Sequence, residues 1–489
     1  MIDWLELTNF RGFGKSTRLE LKPFTVLVGR NSAGKSTPVA ALLALKQTLE
    51  DPTFGAAFPF LRLSGSQIDL GAFADVVHGH SRNRQIQFSF GFDRDESKQK
   101  LLNHFPIRSR YLHRFGRRVF IDYDYAYPLA SRRPAPQLRT LTLAYAAIPN
   151  FGSTLARMTV ESDGDLVSNF RRTARGWNCD ATHIPASIFK VEASQRSALF
   201  PTIQRERKLS TMPVNLARRV RGAEDSIWRA VRETSSYLQS MSFVGPFRTP
   251  PQRRYAFSGA LGLEAGGSGE QTSEMLIADS LSEGQLVRQV QFWLQRLSLA
   301  EKLTVRPEGP GSSVFELSVS GAGFRGNASI ADVGYGVSQV LPVIVQGLLA
   351  QPGGTFVVQQ PELHLHPDAQ ATLVDFFIFL VARGVRCIVE THSEYFLVRL
   401  RRRVAERGVK GLLRDFSRAV GYSTKTQSAS ATLDREQVAV TFVETSQRLS
   451  TMRQVAINEL YQLENLPANF MSEAMDDRIA IAKRIGKLS

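Results

Sequence analysis

Between Ile2 and Leu21, apolar residues alternate with polar ones. Leu5, Leu7 and Phe10, then Leu19 and Leu21, alternate with polar residues, broken by Arg11-Gly12-Phe13-Gly14 as a turn, which predicts short strands. Phe24 to Val28 is an apolar run that reads as a further strand. Val39 to Leu49 changes to a helical pattern. Residues 60 to 170 alternate short strand-like runs, such as Gln85 to Phe92 and Thr140 to Ile148, with turns rich in Gly, Pro and Arg, a β-rich extension of the first lobe. Residues 205 to 240 are helical in composition, with Val220, Ile227, Trp228, Val231 and Leu238 expected inside. No seam of three or four heptads is sustained, which excludes a long coiled-coil arm.

Residues 246 to 273 are rich in Pro, Gly, Ser and Gln, including Pro250-Pro251 and Gly266-Gly267-Ser268-Gly269, and read as loop. From 286 a helix and strands lead to the helical run of Val333 to Leu349. Strands at Thr355 to Val358 and Arg386 to Glu390 follow, with a helix between them. A polar stretch at 421 to 432 leads to a C-terminal segment. Strands alternating with helices predict an α/β protein. Its expected divisions are 1–200, a first lobe with the β-rich extension; 201–285, a helical insertion and loop; 286–420, a second lobe; and 421–489. There is no internal repeat.

Gly29-Arg30-Asn31-Ser32-Ala33-Gly34-Lys35-Ser36 fits the phosphate-loop pattern G-x-x-x-x-G-K-[ST] and follows the apolar strand directly. The spacing has a chemical reason. Glycines let backbone N–H groups curl around phosphates, Lys35 reaches the β- and γ-phosphates, and the Ser36 hydroxyl holds Mg²⁺. The helix that begins at Ser36 and Thr37 offers its positive end to the anion. Pro38 fits there because the first helical turn has no partner for the missing N–H. Gly29, Asn31, Ser32, Gly34, Lys35, Ser36 and Thr37 are therefore the expected nucleotide contacts, with ATP or GTP as ligand.

The 489 residues are 43% hydrophobic and 22% charged, which suits a globular chain with two or three domains' worth of core. No apolar stretch approaches a membrane span, and the start lacks a basic region followed by an apolar run, so the expected location is the cytoplasm. Cys179 and Cys387 lie far apart without a second Cys or His at metal-site spacing, and read as reduced and structural. The net charge of +16 is clustered at Arg108, Arg110, Arg114, Arg117 and Arg118, and again from Arg399, Arg401, Arg402 and Arg403 to Arg418. Such density suits DNA, RNA or an acidic protein surface. A solvated helix face or an internal salt-bridge network fits the same pattern.

Three distal segments supply further parts. Gly334-Tyr335-Gly336-Val337-Ser338-Gln339 places glycines and a Ser/Gln pair ahead of an apolar helix, either a phosphate grip or an ordinary glycine turn. Thr355 to Val358 is an apolar strand that runs into Gln359-Gln360-Pro361-Glu362-Leu363-His364-Leu365-His366. A phosphate-loop ATPase holds Mg²⁺ and orients water at such a strand end. His364 and His366 are read as shaping the loop or a dimer contact rather than as a metal site. Val389-Glu390-Thr391-His392-Ser393 ends another strand, where His392 is expected to touch the γ-phosphate or the attacking water.

With Asn9 to Phe13, Val244 to Arg248 and His392 to Arg403, these segments resemble the ABC-type ATPase heads of the RecF, SMC and overcoming-lysogenization-defect group. They occur in that group's order of phosphate loop, signature, Walker B and histidine switch. The closest likeness is to stand-alone bacterial ATPases such as the ATPase subunits of Septu and PARIS. The resemblance implies a P-loop ATPase head with a mixed sheet that uses ATP and Mg²⁺ and works as a homodimer or a larger homo-oligomer of such pairs. Gly334, Gly336, Ser338 and Gln339 of one subunit would close over the nucleotide of the other, with His392 sensing the γ-phosphate. Gln47 or Gln67 would serve as the Q-loop residue. It also implies a switch in anti-phage defence beside a separate effector, a nuclease, since Asp476-Asp477 lacks the setting of a Toprim metal site. A RecF-like DNA repair ATPase and a non-hydrolysing scaffold are the alternatives.

Gln359 departs from the pattern, which carries Glu there. An amide neither balances Mg²⁺ charge nor polarises water as a carboxylate does, so ATP binding without efficient hydrolysis is expected. Either a Glu-to-Gln change made to trap the ATP-bound state or a natural loss of hydrolysis explains it. The matching flanks favour the first. Gln359 remains the expected metal position with Ser36, and Gln360 and Glu362 complete the expected catalytic set, Glu362 as a substitute carboxylate.

Overall fold

A computed structural model of the chain describes residues 2–50, 61–81, 83–92, 138–148, 152–162, 165–173, 176–181, 189–192, 202–205, 208–259, 262, 264–321, 324–421 and 430–464. Strands β1 (Ile2–Thr8), β2 (Thr17–Glu20) and β3 (Phe24–Gly29) lead into helix α1 (Ser36–Glu50). β4 (Ile86–Phe92), β5 (Leu138–Ile148), β6 (Gly152–Ser162), β7 (Asp165–Thr173) and β8 (Gly176–Ala181) join β1 and β2 in an antiparallel sheet of order β2-β1-β4-β5-β6-β7-β8. A two-stranded ribbon follows, β9 (Phe189–Glu192) with β10 (Thr202–Arg205). The arginines at 108–118 lie outside the described residues, as do the Cys179 side chain, Asp476-Asp477 and most of the 421–432 stretch.

The long helix α2 (Val214–Gln239) leads to β11 (Met241–Val244). Val220, Ile227 and Leu238 are buried as the periodicity requires, and Val231 is partly so, but Trp228 is 53% exposed. The core line runs through Val220, Ala223, Ile227 and Ala230, at three- and four-residue steps, and Trp228 is turned about 100° away from Ile227. The 246–273 stretch is loop apart from β12 (Tyr255–Ala256). Helices α3 (Thr272–Ser280) and α4 (Gln285–Arg296) then precede β13 (Lys302–Pro307), β14 (Val314–Gly321) and β15 (Phe324–Ser329), which form a small antiparallel sheet with β12.

Helix α5 (Tyr335–Leu349), β16 (Thr355–Gln359), α6 (Pro367–Ala382), β17 (Arg386–Glu390), α7 (Glu394–Ala405) and α8 (Leu412–Val420) make up the second lobe. The chain ends in β18 (Val438–Ser446) and β19 (Leu449–Val455). The central sheet has the order β11-β16-β17-β3-β18-β19, parallel except for the final β18–β19 hairpin. The segment after 421, set apart by its linker in the sequence, thus contributes a strand directly beside β3. The fold is α/β, with the mixed sheet expected of a P-loop ATPase head.

Alternation along the central strands separates two cores. Val26, Val28, Phe356, Val358 and Val389 face one, shared with α3 to α8, whereas Leu27, Val357, Ile388 and Val443 face the other, shared with α1, α2 and the antiparallel sheet. Both faces are covered, which explains the unbroken apolar runs. No described helix is long and apolar enough to cross a membrane.

Candidate nucleotide site

The loop from Gly29 to Lys35 leaves the carboxyl end of β3 and enters the first turn of α1. Its glycines are required by contact as well as by curvature. A Cβ on Gly29 would lie 2.1 Å from the Val443 carbonyl oxygen of β18, and one on Gly34 (φ 95°) would lie 3.0 Å from Ser450 Oγ. The β18–β19 hairpin therefore braces the loop, and the Thr445 hydroxyl donates to the Ala33 carbonyl at 3.0 Å. Lys35 is buried, its Nζ donating to the Arg30 carbonyl at 2.5 Å. Burial lowers its pKa, and the Glu390 carboxylate opposes that shift.

Parallel register brings the other parts to the same edge. Gln359 stands opposite Glu390, and Glu390 opposite Leu27, so β16, β17 and β3 finish side by side. Glu390, 4% exposed, accepts from Ser36 Oγ at 2.7 Å through Oε1 and from Gln359 Nε2 at 2.6 Å through Oε2. Sequence reasoning quoted this glutamate without giving it a role. Its only signal was its place at the end of an apolar strand ahead of Thr391 and His392.

A cleft of about 470 Å³ is lined by Arg11, Asn31, Ser32, Gly34, Lys35, Ser36, Thr37, Gln360, Glu390 and His392. An adjoining cleft of about 420 Å³ shares Asn31, Gln360 and His392 and adds Glu362, Leu363, His364, Gln370 and Ser393. Arg11, read in the sequence as part of a turn and of the Asn9 to Phe13 segment, is a further cation lining the cleft. Arg11 (φ 49°), Ser32 (φ 61°), Gln360 (φ 45°) and His364 (φ 63°) all have left-handed backbones, so four strained residues border the clefts.

Glu362 is 7% exposed; its Oε1 accepts from the Thr391 hydroxyl (2.8 Å) and the His392 amide (2.7 Å), while Oε2 has no hydrogen-bond partner among the described residues. Burial pushes its carboxyl above the usual range. Buried Arg248 donates Nη2 to the carbonyls of Gln359 (2.9 Å) and Gln360 (3.0 Å), fixing the end of β16, and burial lowers its pKa to about 10. His392 has its pKa lowered by burial and then by Lys35.

Other expected residues lie elsewhere. Gly334, Gly336, Ser338 and Gln339 cap or open α5 and line neither cleft; Ser338 Oγ donates to the Tyr335 carbonyl at 3.0 Å. Gln47 is buried and clamps the 62–68 loop, through Arg62 O (2.7 Å) and Ile68 N (3.2 Å). Gln67 is half-buried, and neither glutamine borders a cleft. His366 caps α6 through Nδ1 and Asp368 N, His364 lies 5.7 Å from the Tyr335 ring, and no metal-binding cluster of His, Cys, Asp or Glu occurs among the described residues. In the second arginine cluster, Arg399 and Arg403 pair with fully buried Asp375, and Arg402 with Glu406. Much of that charge is therefore answered within the fold. Buried Cys387 is free, its thiol pushed far up by burial.

Residues 1–129, which hold the phosphate loop, match the model of an AAA ATPase domain. Residues 257–399 match a model described as "AAA domain, putative AbiEii toxin, Type IV TA system". Both stretches are similar to AAA-type ATPase domains. The two matched stretches contribute the loop and the opposing strand ends, so the cleft is built from both. No curated protein matches the chain significantly. Among solved structures, the SMC head domain from Thermotoga maritima aligns at 10% identity and TM-score 0.34, covering 93% of this chain and 98% of that chain. An Smc head domain with an extended coiled coil bound to the C-terminal domain of ScpA, derived from Pyrococcus furiosus, aligns at 11% and 0.39, covering 99% of each. An SmcHead bound to the C-winged helix domain of ScpA gives 11% and 0.41, with 94% and 98% covered.

Proposed function

We propose that this chain binds and hydrolyses ATP in the larger cleft and acts as an ATP-dependent dimerising switch that holds or releases a separate effector, a nuclease, in bacterial anti-phage defence. The observation that carries the reading is the meeting of Lys35, Ser36, Glu390 and His392 in one cleft at the carboxyl ends of parallel strands, where ligands of open α/β sheets collect. The donor set fits Mg²⁺, since Ser36 and the strand-end carboxylate are hard oxygen ligands beside a phosphate cradle. When bound, the ion neutralises charge that develops on the phosphate oxygens. Asn31 to Thr37 would bind the phosphates and Lys35 would counter their charge. His392, neutral at pH 7, would face the γ-phosphate. Glu362, with a raised pKa and one unbonded oxygen, is the group available to take a proton from water.

Dimerisation is supported by the α5 entrance, which lies outside both clefts with Tyr335 65% exposed, as a part supplied to a partner would be. The defence role is supported by the toxin–antitoxin description of the model matching 257–399. The test is light scattering and calorimetry with Mg-ATP. A shift from monomer to dimer is expected, with no ATP binding in Lys35→Ala; a chain that stays monomeric at saturating Mg-ATP overturns the switch. Co-purification with the neighbouring gene product tests the defence role. The net charge of +16 favours a second reading as a RecF-like DNA repair ATPase, which salt-sensitive duplex binding with stimulated hydrolysis would establish.

A further inference from the structure

Gln359 stands where the strand-end carboxylate is expected, yet the site is not without one. We infer that the metal-binding carboxylate of this ATPase has moved one strand over, to Glu390, and that Gln359 is a positioning residue that holds it. The inference rests on the ATP-site reading above.

Three contacts carry it. Ser36 Oγ and Glu390 Oε1 are 2.7 Å apart, so the hydroxyl assigned to Mg²⁺ already has a carboxylate at its side. Gln359 Nε2 donates to Glu390 Oε2 at 2.6 Å, which fixes the carboxylate's rotation and leaves Oε1 for Ser36. The two residues are register partners on adjacent parallel strands, so the exchange needs no movement of the backbone. A glutamate at 359 would lose the amide donor that holds Oε2 and leave two acceptor groups facing each other beside buried Glu390. The amide is therefore the partner a carboxylate at 390 requires. This reading accounts for Gln359 without an introduced Glu-to-Gln change.

The experiment compares the full-length protein with Glu390→Gln, Gln359→Glu and the exchanged pair Gln359→Glu/Glu390→Gln. Mn²⁺ affinity is measured by electron paramagnetic resonance in the presence of AMPPNP, and AMPPNP affinity separately in EDTA. Glu390→Gln is expected to weaken Mn²⁺ by about tenfold or more while AMPPNP binding in EDTA is retained. The exchanged pair should recover most of the lost Mn²⁺ affinity, and Gln359→Glu alone should turn over ATP no faster than the parent. Unchanged Mn²⁺ affinity in Glu390→Gln, or a tenfold gain in turnover (about 1.4 kcal/mol) from Gln359→Glu, overturns the inference but leaves the nucleotide site standing. A parent chain that binds no AMPPNP with or without metal overturns both. Because Glu390→Gln is isosteric, its urea midpoint checks that a loss of Mn²⁺ is not a loss of fold.

Discussion

Asp375→Asn tests whether the arginine-rich helix is a structural element or a free basic surface. The Asp375 carboxylate is fully buried on α6 and receives Arg403 from α7 in a two-pronged contact, Nε to Oδ1 and Nη2 to Oδ2, both at 2.7 Å. Arg399 (3.3 Å) and Arg296 (3.6 Å) stand behind it. Removing one member of a buried pair costs about 3–5 kcal/mol, because the remaining charge is left unanswered. Here Arg403 keeps Glu406, and Arg399 and Arg296 are 21% and 29% exposed, so partial rehydration places the expected loss near the low end, about 3 kcal/mol. Urea unfolding followed by tryptophan fluorescence reports it, with Trp293, whose ring lies 5.0 Å from that of neighbouring Phe376, among the four emitters. Asp375→Asn combined with Arg403→Met should lose less than Asp375→Asn alone, since the guanidinium nearest the lost carboxylate is then removed with it. A loss below about 1 kcal/mol, or one that vanishes in high salt, would match an exposed pair and refute the argument.

Lys35→Ala is expected to abolish ATP binding by calorimetry, because Lys35 supplies the charge that meets the β- and γ-phosphates; normal affinity would contradict the site. Gly29→Ala should destabilise the chain by about 1–3 kcal/mol and weaken ATP, since the new methyl meets the Val443 carbonyl rather than a yielding side chain. Denaturation together with calorimetry checks both effects. His392 should titrate below 6.5 without nucleotide and rise when ATP adds negative charge. As its folded pKa is depressed, the unfolded chain takes the proton first, so this residue's contribution to stability declines as pH falls from about 6.5. An NMR titration of the ring protons would sink the idea by placing the nucleotide-free value at or above 6.5.

The phosphate loop was legible because its chemistry is contiguous: glycines, lysine and serine must follow one another to wrap a phosphate, so sequence spacing carries the geometry. The strands at Thr355 and Arg386 were legible for a similar reason, since burial on both faces leaves an unbroken apolar run of strand length bounded by polar residues. The helix at 214–239 was legible in its line of core residues, and misread at Trp228, where one residue of rotation separates the core from solvent. Charge was legible in amount and not in use, because whether an arginine meets water or a buried aspartate depends on a helix packed against its own.

What the chain determined alone was the α/β class, the nucleotide loop and the order of the motifs. What tertiary structure decided was which carboxylate stands beside that loop. Ser36 and Glu390 are 354 positions apart, and Gln359 and Glu390 are 31 apart. They meet because three parallel strands end in register, a relation fixed by backbone hydrogen bonding between distant segments that no local pattern records. The close approach of β18 to Gly29 is of the same kind, set by sheet order in the folded chain.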